Sequence, residues 1–331
     1  MAEETETQRE PVALTPGSGA DQNRQAYLSL LKLSLVDLAG ARTSAVHFQP
    51  DGQMFTRDLK EDELKYRAAG IDWPVNGLTM TGLQRLDDLQ ECVEAIVRDG
   101  VEGDVIEAGT WRGGSSILMR ATLDSLGENS RKVWLADSFS GFPEPDDESF
   151  PEDRNLNFGI SVDLSKADFL AVPVEEVRGN FERLGLNHDL EFVEGFLEDT
   201  MEGLSDGRWS LVRLDGDTYE STMLSLRALY PGLAKGGYLV LDDYGFLPEC
   251  KRAVEEFRAE HGITEPIEAI DWTGARWRKE TEATTSGGDL GRGEGTDGSK
   301  RKVQRQSHLR IPSMRERDLM QRLEGQSQSS S

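Results

Sequence analysis

Five short apolar runs, each bounded by turn residues, limit what this chain can fold into: Val105–Ala108, Val133–Asp137, Leu190–Val193, Trp209–Leu214 and Tyr238–Leu241. They are rich in Val, Ile, Leu and aromatics, the composition of strands covered on both faces. Helical patterns separate them. Leu83, Leu86, Leu89, Val93, Ile96 and Val97 form a stripe at i, i+3, i+4 spacing that Gly100 closes. Residues 116–126, 174–186, 222–233 and 253–261 read the same way. Such alternation predicts an α/β fold, a doubly wound, mostly parallel sheet with helices on both sides. A late stretch, IDWTGARW, reads as a hairpin of edge strands whose Trp272 and Trp277 pack on the sheet.

In a sheet of this kind ligands bind beyond the carboxyl ends of the strands, near the point where the strand order reverses. The first run ends in Glu107-Ala108-Gly109-Thr110-Trp111-Arg112-Gly113-Gly114, a glycine turn that differs in spacing from a dinucleotide fingerprint. The second ends in Asp137, placed to accept hydrogen bonds from ribose hydroxyls, so the pair points to a nucleoside. The fourth ends in Leu214-Asp215-Gly216-Asp217 and the fifth in Leu241-Asp242-Asp243. Neighbouring strands would bring these carboxylates together, and unpaired they would repel. A hard divalent cation relieves that repulsion, and a set of oxygen ligands with no nearby Cys or His suits Mg²⁺ over zinc. Asp215, Asp242 and Asp243 are therefore the predicted metal ligands. Asp217 reads as the cap of the helix that follows.

The remainder of the sequence bounds the function. There are 37 Lys and Arg against 61 Asp and Glu, a net charge of −24, which disfavours nucleic acid and anionic membrane as partners. No apolar run is long enough to span a bilayer. Met1 to Arg9 is acidic and polar with no apolar stretch behind it, so a cytoplasmic location is expected. Two cysteines, Cys92 and Cys250, cannot form a disulfide framework. Residues 1–24 read as a disordered leader and 281–331 as a disordered basic tail, with nine Lys and Arg against seven Asp and Glu. A capping box at Ser313-x-x-Glu316 predicts a short helix within that tail. Residues 50–75 and the loop from Phe142 to Phe158 are candidate lids.

The segments VIEAGTWRGGSS, LADSFSGFP, LDGDTYESTMLSLRALYPGL and GGYLVLDDYG together resemble the macrocin O-methyltransferase family, over roughly Tyr27 to Lys279. The resemblance implies a seven-stranded Rossmann-like sheet of the class I methyltransferase type, filling residues 25–280. It implies that S-adenosylmethionine and Mg²⁺ are the cofactors and that a sugar hydroxyl of a glycosylated natural product is the acceptor. Carried over by motif, Asp215, Asp242 and Asp243 match the family's metal ligands, and Asp215 its proposed general base. Glu107, Ala108, Gly109, Thr110 and Trp111, with Asp137, Ser138 and Gly141, match the cofactor pocket. Gly195 and Phe196 match the region near the adenine, and Met80 and Thr81 contribute from the N-terminal segment. The partner implied is a small-molecule glycoside; self-association of the chain is left open. Alternatives from the residues alone are a methyltransferase acting on a catechol or other vicinal diol, a nucleotide-dependent oxidoreductase, and a non-enzymatic acidic interaction protein. The oxidoreductase gains nothing from three clustered Asp.

Overall fold

The computed structural model describes residues 19–49, 52–143, 148–155 and 164–281. The tail from 282 on, with its Ser313 capping box, and residues 1–18 of the leader lie outside these. The first helix, α1 (Gly19–Leu35), begins inside the stretch read as a leader, because Leu28, Leu31 and Leu35 form an apolar stripe that is buried.

Residues 44–74 form a small antiparallel sheet of β1 (Ser44–Phe48), β2 (Met54–Asp58) and β3 (Trp73–Pro74), in the order β2-β1-β3. Helix α2 (Leu64–Ala69) sits between β2 and β3. The buried Arg67 guanidinium ties this region together, donating to both carboxylate oxygens of Asp72 at 2.9 and 2.8 Å and to the backbone carbonyls of Val36 and Ser44.

After α3 (Leu83–Arg98) the large sheet begins. Its members are β4 (Asp104–Ala108), β5 (Val133–Asp137), β6 (Leu190–Glu194), β7 (Trp209–Leu214), β8 (Leu233–Leu241), β9 (Glu268–Ala269) and β10 (Ala275–Arg278), in the order β6-β5-β4-β7-β8-β10-β9. The first five run parallel; β10 joins β8 antiparallel and β9 completes the predicted hairpin. The helices are α4 (Gly114–Ser125), α5 (Val174–Leu184), α6 (Leu197–Thr200), α7 (Tyr219–Leu229) and α8 (Pro248–Glu260).

Alternation along each strand divides the core into two layers. Val105, Leu135, Leu211 and Val240 pack against α1, α3, α4 and α5; Ile106, Ala136, Val212 and Leu239 pack against α6, α7 and α8. Trp277 is fully buried in the second layer, against Tyr230 and Phe257, as its packing role predicts. Helix boundaries differ from the sequence reading: α8 starts at Pro248, five residues before 253, and α7 runs Tyr219–Leu229 where 222–233 was expected. Leu233, assigned there to the end of a helix, opens β8, which is longer than the run Tyr238–Leu241 because its first half is interrupted by Gly236 and Gly237. No helix among the described residues is long and apolar enough to cross a membrane.

Candidate active site

The order reverses at β4: the chain goes from β4 outward to β5 and β6, then returns to place β7 on the other side. Parallel pairing brings the carboxyl ends of β5, β4, β7 and β8 to one rim, and the ladder continues one residue past each strand. Gly109 N donates to Ala136 O at 2.8 Å, Asp215 N to Ala108 O at 2.8 Å, Asp242 N to Leu214 O at 3.0 Å and Gly195 N to Asp137 O at 3.0 Å. Sheet register therefore sets the positions of the predicted site residues.

The glycine turn is shaped first by neighbouring protein. Gly109 has φ +86°, and a Cβ there would lie 1.9 Å from the Asp215 carbonyl oxygen. The turn and the Asp215 loop thus pass too closely for any side chain. Asp137 anchors the same turn. Its Oδ2 accepts from the backbone N–H of Thr110 at 2.6 Å and of Trp111 at 3.0 Å, and its Oδ1 from Phe139 N at 2.8 Å. Ser138 donates to Gly141 O at 2.7 Å and so closes the next turn. Oδ1 of Asp137 also lies 3.5 Å from the Ser138 hydroxyl and takes one backbone N–H where Oδ2 takes two. Trp111, itself at φ +47°, donates from Nε1 to Phe169 O at 3.0 Å. Met80 and Phe196 are partly buried.

The Glu107 carboxylate is buried among protein groups. It is 1 % exposed, directly opposite Arg213 in the β4–β7 register, and Arg213 Nη1 donates to its Oε1 at 2.7 Å while Ser116 donates to Oε2. Burial pushes its carboxyl up to about 7, against the opposing pull of Arg213.

Among the described residues Asp215, Asp242 and Asp243 bring one carboxylate oxygen each to within 4.8 Å of one another. The convergence predicted from the sequence is present, but the acids are not unpaired. Arg213 donates to Asp215 Oδ2 at 2.7 Å, to Asp242 Oδ1, and to the Thr81 hydroxyl at 2.9 Å, which draws Thr81 into the cluster. Arg85 from α3 donates to Asp242 Oδ2. The sequence reading missed both arginines. A signal for Arg213 was available: an Arg in the apolar run Leu211–Leu214, abreast of a Glu in the apolar run Val105–Ala108, requires a buried pair.

Two acids stay outside the arginines' reach. Oδ2 of Asp243, a residue only 8 % exposed, is buried without a hydrogen-bond partner. Asp217 does not cap α7. The Thr218 hydroxyl does so, accepting from Ser221 N at 2.9 Å, and buried Asp153 accepts from Tyr219 N and Glu220 N at 2.6 and 3.0 Å. Asp153 comes from the loop read as a lid, whose residues 148–155 are thereby fastened to α7. Asp217 stands at φ +60°, where burial and the charges of Asp215 and Asp242 push its carboxyl well above the usual range. Burial, then Asp242, raises Asp215 to about 6, and Asp243 is raised by burial and Asp217.

Three hard oxygens within one ion's span, one of them a buried orphan, fit a divalent cation of the Mg²⁺ type. Asp215 Oδ2 is held by Arg213 at 2.7 Å.

Comparison with known proteins agrees with this architecture. The family model described as macrocin-O-methyltransferase (TylF) matches residues 25–279. The chain is 44% identical over 256 residues to an 8-demethyl-8-(2,3-dimethoxy-alpha-L-rhamnosyl)-tetracenomycin-C 4'-O-methyltransferase of Streptomyces olivaceus, covering 77% of this chain and 93% of that one. It is 42% identical over 270 residues to a mycinamicin III 3''-O-methyltransferase of Micromonospora griseorubida, covering 80% and 99%. Among solved structures, that of the O-methyltransferase NovP superposes with a TM-score of 0.67 at 34% identity, covering 78% of this chain and 100% of NovP.

Proposed function

The chain belongs to the macrocin O-methyltransferase family, and from that premise we propose that it moves a methyl group from S-adenosylmethionine to a sugar hydroxyl of a glycosylated natural product, assisted by Mg²⁺. The observation that carries this reading is the meeting of Asp215, Asp242 and Asp243 beside the Asp137-anchored turn. The relatives named above act, by their names, on a rhamnosyl tetracenomycin and on a mycinamicin, which supports a glycoside as acceptor.

The sulfonium donor would supply an electrophilic methyl, and a divalent ion would supply the positive charge that makes an alcohol acidic enough to react. The remaining chemistry belongs to the chain. Asp242 and Asp243, with Asp215, would hold the ion, each through a carboxylate oxygen. Arg213 fixes Asp215 through Oδ2, so its other oxygen is oriented to accept the hydroxyl proton as a general base. Asp137 would receive the ribose through Oδ1 while keeping Thr110 and Trp111 in place. Gly141 and Ser138 shape the turn beneath it, and Gly195 and Phe196 would border the adenine. Strand-end acids also make the pocket attractive to a cationic donor.

The test is incubation with labelled S-adenosylmethionine and a panel of deoxysugar-bearing polyketides, with and without EDTA. Label should enter a glycoside and the reaction should stop with the chelator. Full turnover in excess EDTA would remove the ion from the mechanism, and label entering only non-glycosylated catechols would remove the sugar.

A further inference from the structure

Arg85 reaches the carboxylate cluster from outside the sheet and is held there from behind. Its Nη1 donates to Asp242 Oδ2, its Nε donates to Asp271 Oδ2 at 3.0 Å, and its Nη2 lies 3.3 Å from Gly70 O. Both Arg85 and the Asp271 carboxylate are about 95% buried, at 5% and 6% side-chain exposure. Asp271 is itself fixed, because its Oδ1 accepts from Thr273 N at 3.0 Å and Gly274 N at 2.8 Å. The aliphatic stem runs through a slot made by absent side chains. A Cβ on Gly274 would come within 2.7 Å of Arg85 Cδ, and one on Gly70 within 2.5 Å of Nη2. Thr273 adds a second tie on the same strand end, donating from Oγ1 to Asp242 O at 2.8 Å.

We propose that Arg85, backed by Asp271, is a positioning residue that sets the orientation of Asp242 for divalent-ion binding. The inference rests on the Mg²⁺ reading above. Arg213 already holds Asp242 Oδ1, so Arg85 is the contact that stops the carboxylate rotating about its Cβ–Cγ bond. A planar guanidinium with one N–H on Asp242 and another on a fixed carboxylate transmits the position of the β9–β10 turn to the ion ligand. Arg85 makes no contact with Asp137 or the glycine turn, so its effect falls on the ion and not on the nucleoside. Groups holding a ligand in place in this way usually contribute about 10–100-fold to metal affinity.

The experiment is a Mn²⁺ titration of the full chain, with neither donor nor acceptor present, read from the electron spin resonance of free Mn²⁺. Calorimetry with S-adenosylhomocysteine runs alongside it. Arg85→Gln is expected to weaken Mn²⁺ binding by about 10–100-fold and to leave S-adenosylhomocysteine affinity at the wild-type value. Asp271→Asn keeps the Oδ1 acceptor, disturbs only the Arg85 contact, and is expected to shift Mn²⁺ affinity in the same direction. It serves if Arg85→Gln does not fold. Arg85→Lys, which keeps the charge and loses the fork, should stay weak. Wild-type Mn²⁺ affinity in Arg85→Gln and Asp271→Asn, or full recovery in Arg85→Lys, overturns the positioning role alone. A wild-type protein that binds no Mn²⁺ overturns the ion reading and this inference with it.

Discussion

Asp215 shows how much a single residue's surroundings decide. Buried beside Asp242, its carboxyl is pushed up to about 6, so below that pH a proton occupies the oxygen a cation would take. Mn²⁺ affinity should therefore rise as pH increases through about 6 and go on rising above it, because burial and Asp217 hold the Asp243 carboxyl up as well. A flat profile between pH 5 and 8 would contradict this. Asp137 carries a different load. Replacing it with Ala strips the acceptor from Thr110 N, Trp111 N and Phe139 N, and partly buried orphans cost about 1–3 kcal/mol each, less what water recovers. Asp137→Ala should lose stability in urea and S-adenosylhomocysteine affinity together. Retained affinity in a destabilised variant would assign the ribose to another residue. The acids of this site were legible because a strand that stops in Asp is visible in one dimension. Arg85 was not, since its partner Asp242 lies 157 positions away and α3 gives an Arg beside an apolar stripe no reason to be buried.

Elements were legible where period and punctuation agreed. Strand β7 is buried along its whole length and reads as an apolar run broken only by Ser210 and Arg213, and α3 is bounded by Gly82 and Gly100. The start of α7 was misplaced because two acceptors compete for it in the sequence, Asp217 and Thr218. Backbone geometry decides: Asp217 adopts positive φ and turns toward the acids, which leaves Thr218 extended, the conformation an N-cap requires. Thr218→Ala should destabilise the protein by about 1 kcal/mol in urea, with its m-value unchanged. A loss within error of zero would mean that Asp153 alone satisfies the helix end. That second cap could not be read from sequence, since it comes from a loop 66 positions upstream.

For the molecule as a whole, charge is the unusual property. A net −24, with Arg67, Arg85 and Arg213 committed to buried partners, leaves a surface that repels itself. Raising NaCl from about 10 to 150 mM shortens the screening distance from about 30 to 8 Å and should raise Tm by a few degrees in a fluorescence melt. A fall in Tm would show that exposed ion pairs such as Lys132–Glu191 outweigh the repulsion. A mostly parallel sheet with helices on both faces follows from the strand–helix alternation. The pairing of α3 with the β9–β10 turn does not, because only the folded chain brings Arg85 and Asp271 together across 186 positions. That separation has a meaning in time. A ribosome makes the glycine turn, β7 and β8 before Asp271, so for part of its synthesis the nascent polypeptide holds Arg85 and Asp242 without the carboxylate that backs them. The prop arrives with the last strands, and a product released before them would lack it.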